Sequence, residues 1–183
     1  MLIFYQTLRK ANVMKKSAIK FAVLAAACLV LVSCSKSEPE EGYKTLSDPS
    51  CDFTLDCPSD WDISYTSGML SAYDTEDKAN VTAYAFDTQT EMGADDYWEQ
   101  YKNQYEGTFS TMNVTQKEET TLSGVIARHV FYTVDMGEDS FNCQTVICSR
   151  YGSIYMLTFT ASPDTYENHT DEFKKMIESF RFD

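Results

Sequence analysis

Residues 154–182 read IYMLTFTASPDTYENHTDEFKKMIESFRF, and this stretch decides the fold. Residues 154–160 predict a β-strand that ends before a short polar segment. That segment, Ser162-Pro163-Asp164, is typical of a helix start, with a capping serine, proline at the first helical position and an acid behind it. Side chains then recur at helical spacing, at Tyr166, Thr170, Phe173, Ile177 and Phe180. The pattern predicts a strand and then a helix whose apolar stripe lies against a sheet.

Further strands precede this unit in the chain. Their patterns and the turns between them predict strands at residues 53–57, 63–66, 69–73, 81–86, 112–121, 125–134 and 141–150. A helix interrupts them at Ala94–Tyr105, where Asp95 and Asp96 favour the first turn and Gly107 supplies the stop. This order of elements predicts an α+β fold, an antiparallel β-sheet flanked by helices.

The helix at Ala94–Tyr105 carries an aromatic stripe. Tyr97, Tyr101 and Tyr105 fall at i, i+4 and i+8, and Trp98 lies beside them. Such a stripe either packs on a sheet or forms an aromatic binding surface. We favour packing, and we keep these four side chains as a candidate binding surface.

Several short motifs occur in an order that is similar to that of a known family. They are Phe53-Thr54-Leu55, Pro58-Ser59-Asp60-Trp61, Leu122-Ser123-Gly124, the strand at 154–161 and the segment from Phe173 to Phe182. Together, over residues 43–183, they resemble the PsbP-like family. The resemblance implies an α-β-α sandwich around an antiparallel sheet of six or more strands. It also implies binding or assembly roles more than catalysis, and it transfers no functional residue.

The N-terminal residues predict export and a lipid anchor. Residues 21–34 read FAVLAAACLVLVSC, after the basic residues Lys15, Lys16 and Lys20. A basic flank, a short apolar run and small residues before a cleavage site are typical of a secretory signal, and the apolar run is shorter than the roughly 20 residues of a membrane span. Leu31-Val32-Ser33-Cys34 resembles the lipobox of bacterial lipoproteins, in which the cysteine is lipidated. We therefore expect a signal peptide over 1–34 with its true start at Met14, and a chain anchored through Cys34 on the extracytoplasmic side of a bacterial cell membrane.

The charge of the mature chain limits its partners. We expect a flexible linker at 35–43 and one domain at 44–183. All 28 acidic residues but only 10 of the 15 basic residues follow Cys34, so that part carries a formal charge of −18. Nucleic-acid binding normally requires a basic surface, so we expect no nucleic-acid partner. The acidity either serves solubility or attracts cations and basic partners.

Four cysteines follow Cys34, and an even number in an exported chain predicts disulfides. They are Cys51, Cys57, Cys143 and Cys148. If residues 51–57 are extended, Cys51 and Cys57 lie about 20 Å apart, whereas a disulfide tolerates about 7 Å between Cα atoms. We therefore expect the first two cysteines to cross-link to the strand that holds the other two.

Recognisable catalytic and metal-binding motifs are missing from the sequence. His129 and His169 stand away from any second histidine or cysteine at metal-ligand spacing, so we expect neither a zinc site nor a cofactor. Two acidic loops, one with Asp74, Glu76 and Asp77 and one with Asp135, Glu138 and Asp139, could hold calcium, but solvated turns are the simpler interpretation.

The sequence therefore favours a lipid-anchored, non-catalytic binding or assembly module with a protein partner on the cell envelope. Two alternatives stay open. One is a hydrolase or other enzyme whose site is assembled from scattered polar residues. The other is a calcium-responsive adhesion or stabilising domain.

Overall fold

The described part of the chain contains ten β-strands and two short α-helices. The computed structural model describes residues 38–66, 68–105 and 108–183, and the predicted signal peptide and Cys34 lie outside these ranges. The strands are β1 (Tyr43–Leu46), β2 (Phe53–Pro58), β3 (Asp62–Thr66), β4 (Met69–Tyr73), β5 (Asn80–Asp87), β6 (Thr111–Leu122), β7 (Val125–Met136), β8 (Asp139–Arg150), β9 (Ser153–Ala161) and β10 (Arg181–Phe182). The helices are α1 (Ala94–Tyr105) and α2 (Thr170–Ser179), and a 3-10 turn (Tyr166–His169) leads directly into α2. No helix in the described part of the chain has the length and apolar character needed to cross a membrane.

The larger sheet contains seven strands in the order β3-β4-β5-β9-β8-β7-β6, and every neighbouring pair is antiparallel. This confirms the predicted antiparallel sheet. β6 and β7 form a long hairpin whose turn, Ser123-Gly124, has positive φ at both residues. Turns of that kind match the right-handed twist of the paired strands.

A smaller sheet, β1-β2-β10, lies beside α2. The residue order predicts neither β1 nor β10, because both are short and depend on pairing with β2. Buried Asp56 on β2 accepts hydrogen bonds from Thr45 on β1 at 2.7 Å and from Arg181 on β10 at 2.9 and 3.2 Å. A single carboxylate therefore joins all three strands.

Two apolar cores lie on opposite faces of the large sheet. One contains Phe159 on β9, Phe173 and Met176 on α2, and residues of β2. The other contains Trp98 on α1 together with side chains of β7, β8 and β9. Each face thus has one helix, but these helices are only 12 and 10 residues long. The predicted α-β-α sandwich and its flanking helices overstate the helical content of a mostly antiparallel β-structure.

The first predicted helix is confirmed, whereas the start of the second is wrong. α1 spans Ala94–Tyr105, as the acids in its first turn and Gly107 predict. Ser162-Pro163-Asp164 forms a turn instead, in which the carbonyl of Ser162 accepts the amides of Thr165 and Tyr166. The helix proper begins at Thr170.

Candidate functional site

A groove runs between α2 and the β6–β7–β8 part of the large sheet. It encloses about 790 Å³. Its floor is formed by His129 and Phe131 on β7 and Gln144 on β8, and Tyr166 and Ile177 contribute from the helical side. A concave site of this size with apolar walls and a few converging polar groups has the properties of a ligand-binding site.

Strand register brings three polar side chains of the groove together. Glu118 on β6 lies directly opposite His129 on β7, and Gln144 on β8 lies opposite the neighbouring Phe131. Nε2 of His129 is 2.9 Å from Oε1 of Gln144, and its Nδ1 is 3.5 Å from Oε1 of Glu118. The ring stacks on Phe131 with 4.2 Å between centroids, and its edge faces Phe173 of α2.

His129 is buried, and burial lowers the pKa of its imidazole despite the hydrogen bond that the ring donates to Gln144 and the charge of Glu118. The folded protein therefore favours the neutral ring near pH 7. A neutral ring has one N–H, so it donates to only one of its two oxygen neighbours. The other ring nitrogen carries a lone pair that can accept a hydrogen bond from a bound group.

The rim of the groove is mostly acidic. Four exposed carboxylates and one lysine surround the opening: Glu118, Glu167, Asp171, Glu178 and Lys174. Tyr166 stacks on Phe159 at 5.4 Å and extends the aromatic wall, and burial raises the pKa of its hydroxyl so that it stays protonated. Acidic groups above an aromatic floor favour ligands that carry positive charge next to an apolar or aromatic group.

In the part of the chain that the structure describes, the imidazole in the groove is not paired with a nucleophile. Within the described residues, the two nitrogens of His129 face Gln144 and Glu118, an amide and a carboxylate. Nucleophilic catalysis pairs a base with a hydroxyl, thiol or amine within hydrogen-bond reach. The arrangement is better suited to holding a group than to attacking one.

The aromatic stripe of α1 lies on the opposite face of the sheet from the groove. Trp98 is fully buried, and Tyr97 and Tyr101 are partly buried against the same core. Their rings contact Phe86 and Tyr132 on the sheet. Tyr105 ends the helix, and the position of its side chain is outside what the structure describes.

The four cysteines expected to form disulfides are free thiols in the structure. Cys143 and Cys148 are five residues apart on β8, so the alternation of a strand directs them to opposite faces. Cys57 and Cys148 belong to one core, against which Cys51 packs, whereas Cys143 belongs to the other core. The predicted pair of cross-links is therefore corrected, because one of the two strand cysteines points away from the β2 side.

The two acidic loops differ in the side chains that lie next to them in the fold. Asp135, Glu138 and Asp139 lie at the β7–β8 turn, where Asp135 accepts a hydrogen bond from the hydroxyl of Ser140. The other loop, which joins β4 to β5, meets His169 of the 3-10 turn, and ligand atoms of Asp74, Asp77 and His169 lie within 4.8 Å of one another. Local spacing gives no sign of this cluster because His169 is 92 residues from Asp77.

One protein-family model matches most of the chain. A family model described as PsbP-like protein matches residues 31–182. No curated protein matches the chain.

Several solved structures share the fold. The cyanobacterial PsbP of Synechocystis sp. PCC 6803 aligns with a TM-score of 0.60 at 15% identity, covering 84% of this chain and 99% of its own. The Ran-binding protein Mog1p of Saccharomyces cerevisiae aligns with a TM-score of 0.57 at 7% identity, covering 76% of this chain and 95% of its own. LpqN, described as involved in cell envelope biogenesis of Mycobacterium tuberculosis, aligns with a TM-score of 0.51 at 14% identity, covering 75% and 90%. At these identities the likeness establishes the fold alone.

Proposed function

Because this chain belongs to the PsbP-like protein family, we propose that it is a membrane-tethered, non-catalytic binding or assembly protein whose protein partner occupies the groove beside His129. The observation that carries the proposal is the groove itself, which joins an aromatic floor to an acidic rim. Fold similarity alone would not assign a function, so the argument rests on this site.

The partner presents a basic segment. The four carboxylates of the rim outnumber its single lysine, and the part of the chain after Cys34 carries a formal charge of −18. Such a field speeds the approach of a positively charged partner and makes binding weaker at high salt. An apolar or aromatic side chain of the same segment then packs on Phe131, beside the His129–Gln144 pair.

The tether holds this groove at the outer surface of a bacterial membrane. The argument for it is the run of basic, apolar and small residues that ends at Cys34, followed by the polar segment that leads to β1. Two or more acyl chains on a terminal cysteine anchor a protein stably, whereas one does not. A related structure, LpqN, is described as acting in cell envelope biogenesis, and we propose a role at the envelope for this chain as well.

Photo-crosslinking in native membranes tests the site. A photoreactive phenylalanine analogue replaces Thr120, a partly exposed residue that lines the groove and shares the face of His129. The matched control replaces Ile126, which is 68% exposed and lies on the opposite face of the same hairpin. We expect a discrete adduct from position 120 that is not formed when the membranes are irradiated in 1 M salt, and we expect no such adduct from position 126.

Equal adducts from both positions, or no adduct from position 120, would contradict the groove as the binding site. The enzyme alternative predicts a different outcome. There, a small substrate rather than a protein would occupy the groove, and His129→Gln would abolish turnover.

A further inference from the structure

A second group of functional side chains lies at the start of α2, where the loop between β4 and β5 meets the 3-10 turn. Nε2 of His169 is 2.8 Å from Oδ2 of Asp77, and Nδ1 of the same ring is 2.6 Å from Oε2 of Glu172. A carboxylate oxygen of Asp74 completes a set of three ligand atoms that lie within 4.8 Å of one another. His169 is 7% exposed, so the ring faces these carboxylates rather than solvent.

The loop is shaped to hold both aspartates in place. Oδ1 of Asp74 accepts the amide of Glu76 at 2.6 Å, and Oδ1 of Asp77 accepts the amide of Ala79 at 3.0 Å. Lys78 has φ of +66°, a left-handed conformation that closes the loop with its amide donating to the carbonyl of Asp74. Each carboxylate thus uses one oxygen for the loop and keeps the other for a partner.

The surroundings of His169 resemble those of a metal-bound histidine. Metal-binding imidazoles donate the N–H of their other nitrogen to a carboxylate, which fixes the ring and its tautomer. Glu172, one turn along α2, stands in that position. The rings of Trp61 and Phe159 meet the imidazole at centroid distances of 5.4 and 6.4 Å and form an apolar wall on its buried side.

We propose that Asp74, Asp77 and His169 form a binding site for a divalent transition-metal ion, with Zn²⁺ as the ion that suits this donor set. Three protein ligands of the imidazole and carboxylate type, with water in the fourth position, are a common coordination of zinc. Nε2 gives up its proton to solvent and bonds to the metal, and one oxygen of each aspartate completes the protein ligands. Nδ1–H continues to donate to Glu172.

The donor set favours zinc over calcium. Calcium takes six to eight oxygen ligands and does not select imidazole nitrogen. Here the one buried donor is a nitrogen, and the oxygens come from two monodentate aspartates that also bond the loop backbone. The site is separate from the proposed partner groove, but it fixes the 3-10 turn that carries Tyr166 and Glu167 into that groove.

Zinc titration of the chelator-treated full chain in detergent tests the site by calorimetry. We expect one Zn²⁺ per chain and an increase in the melting temperature, because an ion that prefers the folded state stabilises it. Asp74→Asn should weaken binding at least about tenfold, and Glu172→Gln should weaken it by about 10- to 100-fold through the ring it orients. Glu76→Gln is the matched control, since Glu76 is an exposed acid of the same loop that is outside the cluster. This variant should bind zinc with the same affinity as the unmodified chain.

NMR of the imidazole protons gives a readout that does not depend on any variant. The chain contains two histidines, so His129 serves as the internal reference. Zinc should shift the ring resonances of His169 and leave those of His129 in place. The proposal would be overturned if zinc left the His169 resonances in place or shifted those of His129 instead. It would also be overturned if Asp74→Asn and the unmodified chain bound zinc with equal affinity.

Discussion

Replacing Phe173 with alanine tests whether α2 is held on the sheet by the packing that also forms the wall of the groove. Phe173 is buried, its ring stacks on Phe159 at a centroid distance of 5.4 Å, and its ring centroid lies 6.2 Å from that of His129 in an edge-to-face arrangement. Truncating a buried phenylalanine removes its transfer free energy and leaves a cavity, at a cost of about 3–5 kcal/mol. A domain with about 5–15 kcal/mol of stability would remain folded in most of that range.

Urea unfolding followed by tryptophan fluorescence measures the loss. With a slope of about 2 kcal/mol per molar urea, a loss of about 4 kcal/mol moves the midpoint down by about 2 M without changing the slope. The matched control is Lys174→Ala, which removes an exposed side chain of the next residue on the same helix. It should change the free energy of unfolding by no more than about 0.5 kcal/mol.

A loss of less than about 1 kcal/mol for Phe173→Ala would refute the packing described here, because no fully buried phenylalanine in a well-packed core is that dispensable. A loss of similar size for Lys174→Ala would show that the whole helix, rather than its buried face, responds to substitution.

Three further predictions concern the small sheet, the groove and the anchor. Asp56→Ala should lower the free energy of unfolding by about 2–3 kcal/mol, which is less than the loss of a fully buried pair because its partner Arg181 is 33% exposed. Asp95→Ala breaks an ion pair whose carboxylate is 62% exposed, and it should cost less than about 1 kcal/mol. Equal losses for the two variants would contradict this ranking. Burial lowers the pKa of His129, so as the pH falls the unfolded chain takes up a proton near pH 6.5 before the folded chain does. The contribution of the neutral His129 to stability is therefore complete above that pH and is lost as the pH falls toward the pKa of the folded state. Relative to His129→Gln, the unmodified chain should therefore lose stability between pH 7 and pH 5 in urea titrations, and identical pH profiles would exclude a depressed pKa. Cys34→Ala should move the protein from the pelleted membrane fraction to the soluble fraction, and continued pelleting would count against lipidation.

Local patterns predict much of the secondary structure, because the strands from β2 to β9 and α1 carry their own signals. The bounds of α1 follow from the acids in its first turn and Gly107 behind it. The β6–β7 hairpin follows from two long strand patterns that meet at Ser123-Gly124. These elements need no distant contact to be recognised.

Distant contacts decide what the patterns miss. Ser162-Pro163-Asp164 has the composition of a helix start, yet the helix begins eight residues after Ser162, behind a turn in which Asp77 and Glu172 hold His169. The expected pair of cross-links is wrong because Cys143 and Cys148 face opposite sides of β8, which distance along the chain does not reveal.

The groove was equally hard to predict from the sequence. Glu118, His129 and Gln144 are far from any motif, and only strand register brings them together. The alternation of β7 indicates that His129 lies on one face of a strand, but it does not indicate which partners meet it. The family resemblance, in contrast, is confirmed, because it depends on the order of short motifs along most of the chain.

The most direct test of the account is the effect of reversing one rim charge on crosslinking from position 120. Glu178→Lys changes an exposed carboxylate on α2 that lines the groove. If a basic partner binds there, this substitution should reduce the yield of the position-120 adduct in native membranes severalfold, with the amount of folded, membrane-bound protein unchanged. An undiminished adduct yield would contradict the claim that this acidic groove is the binding site.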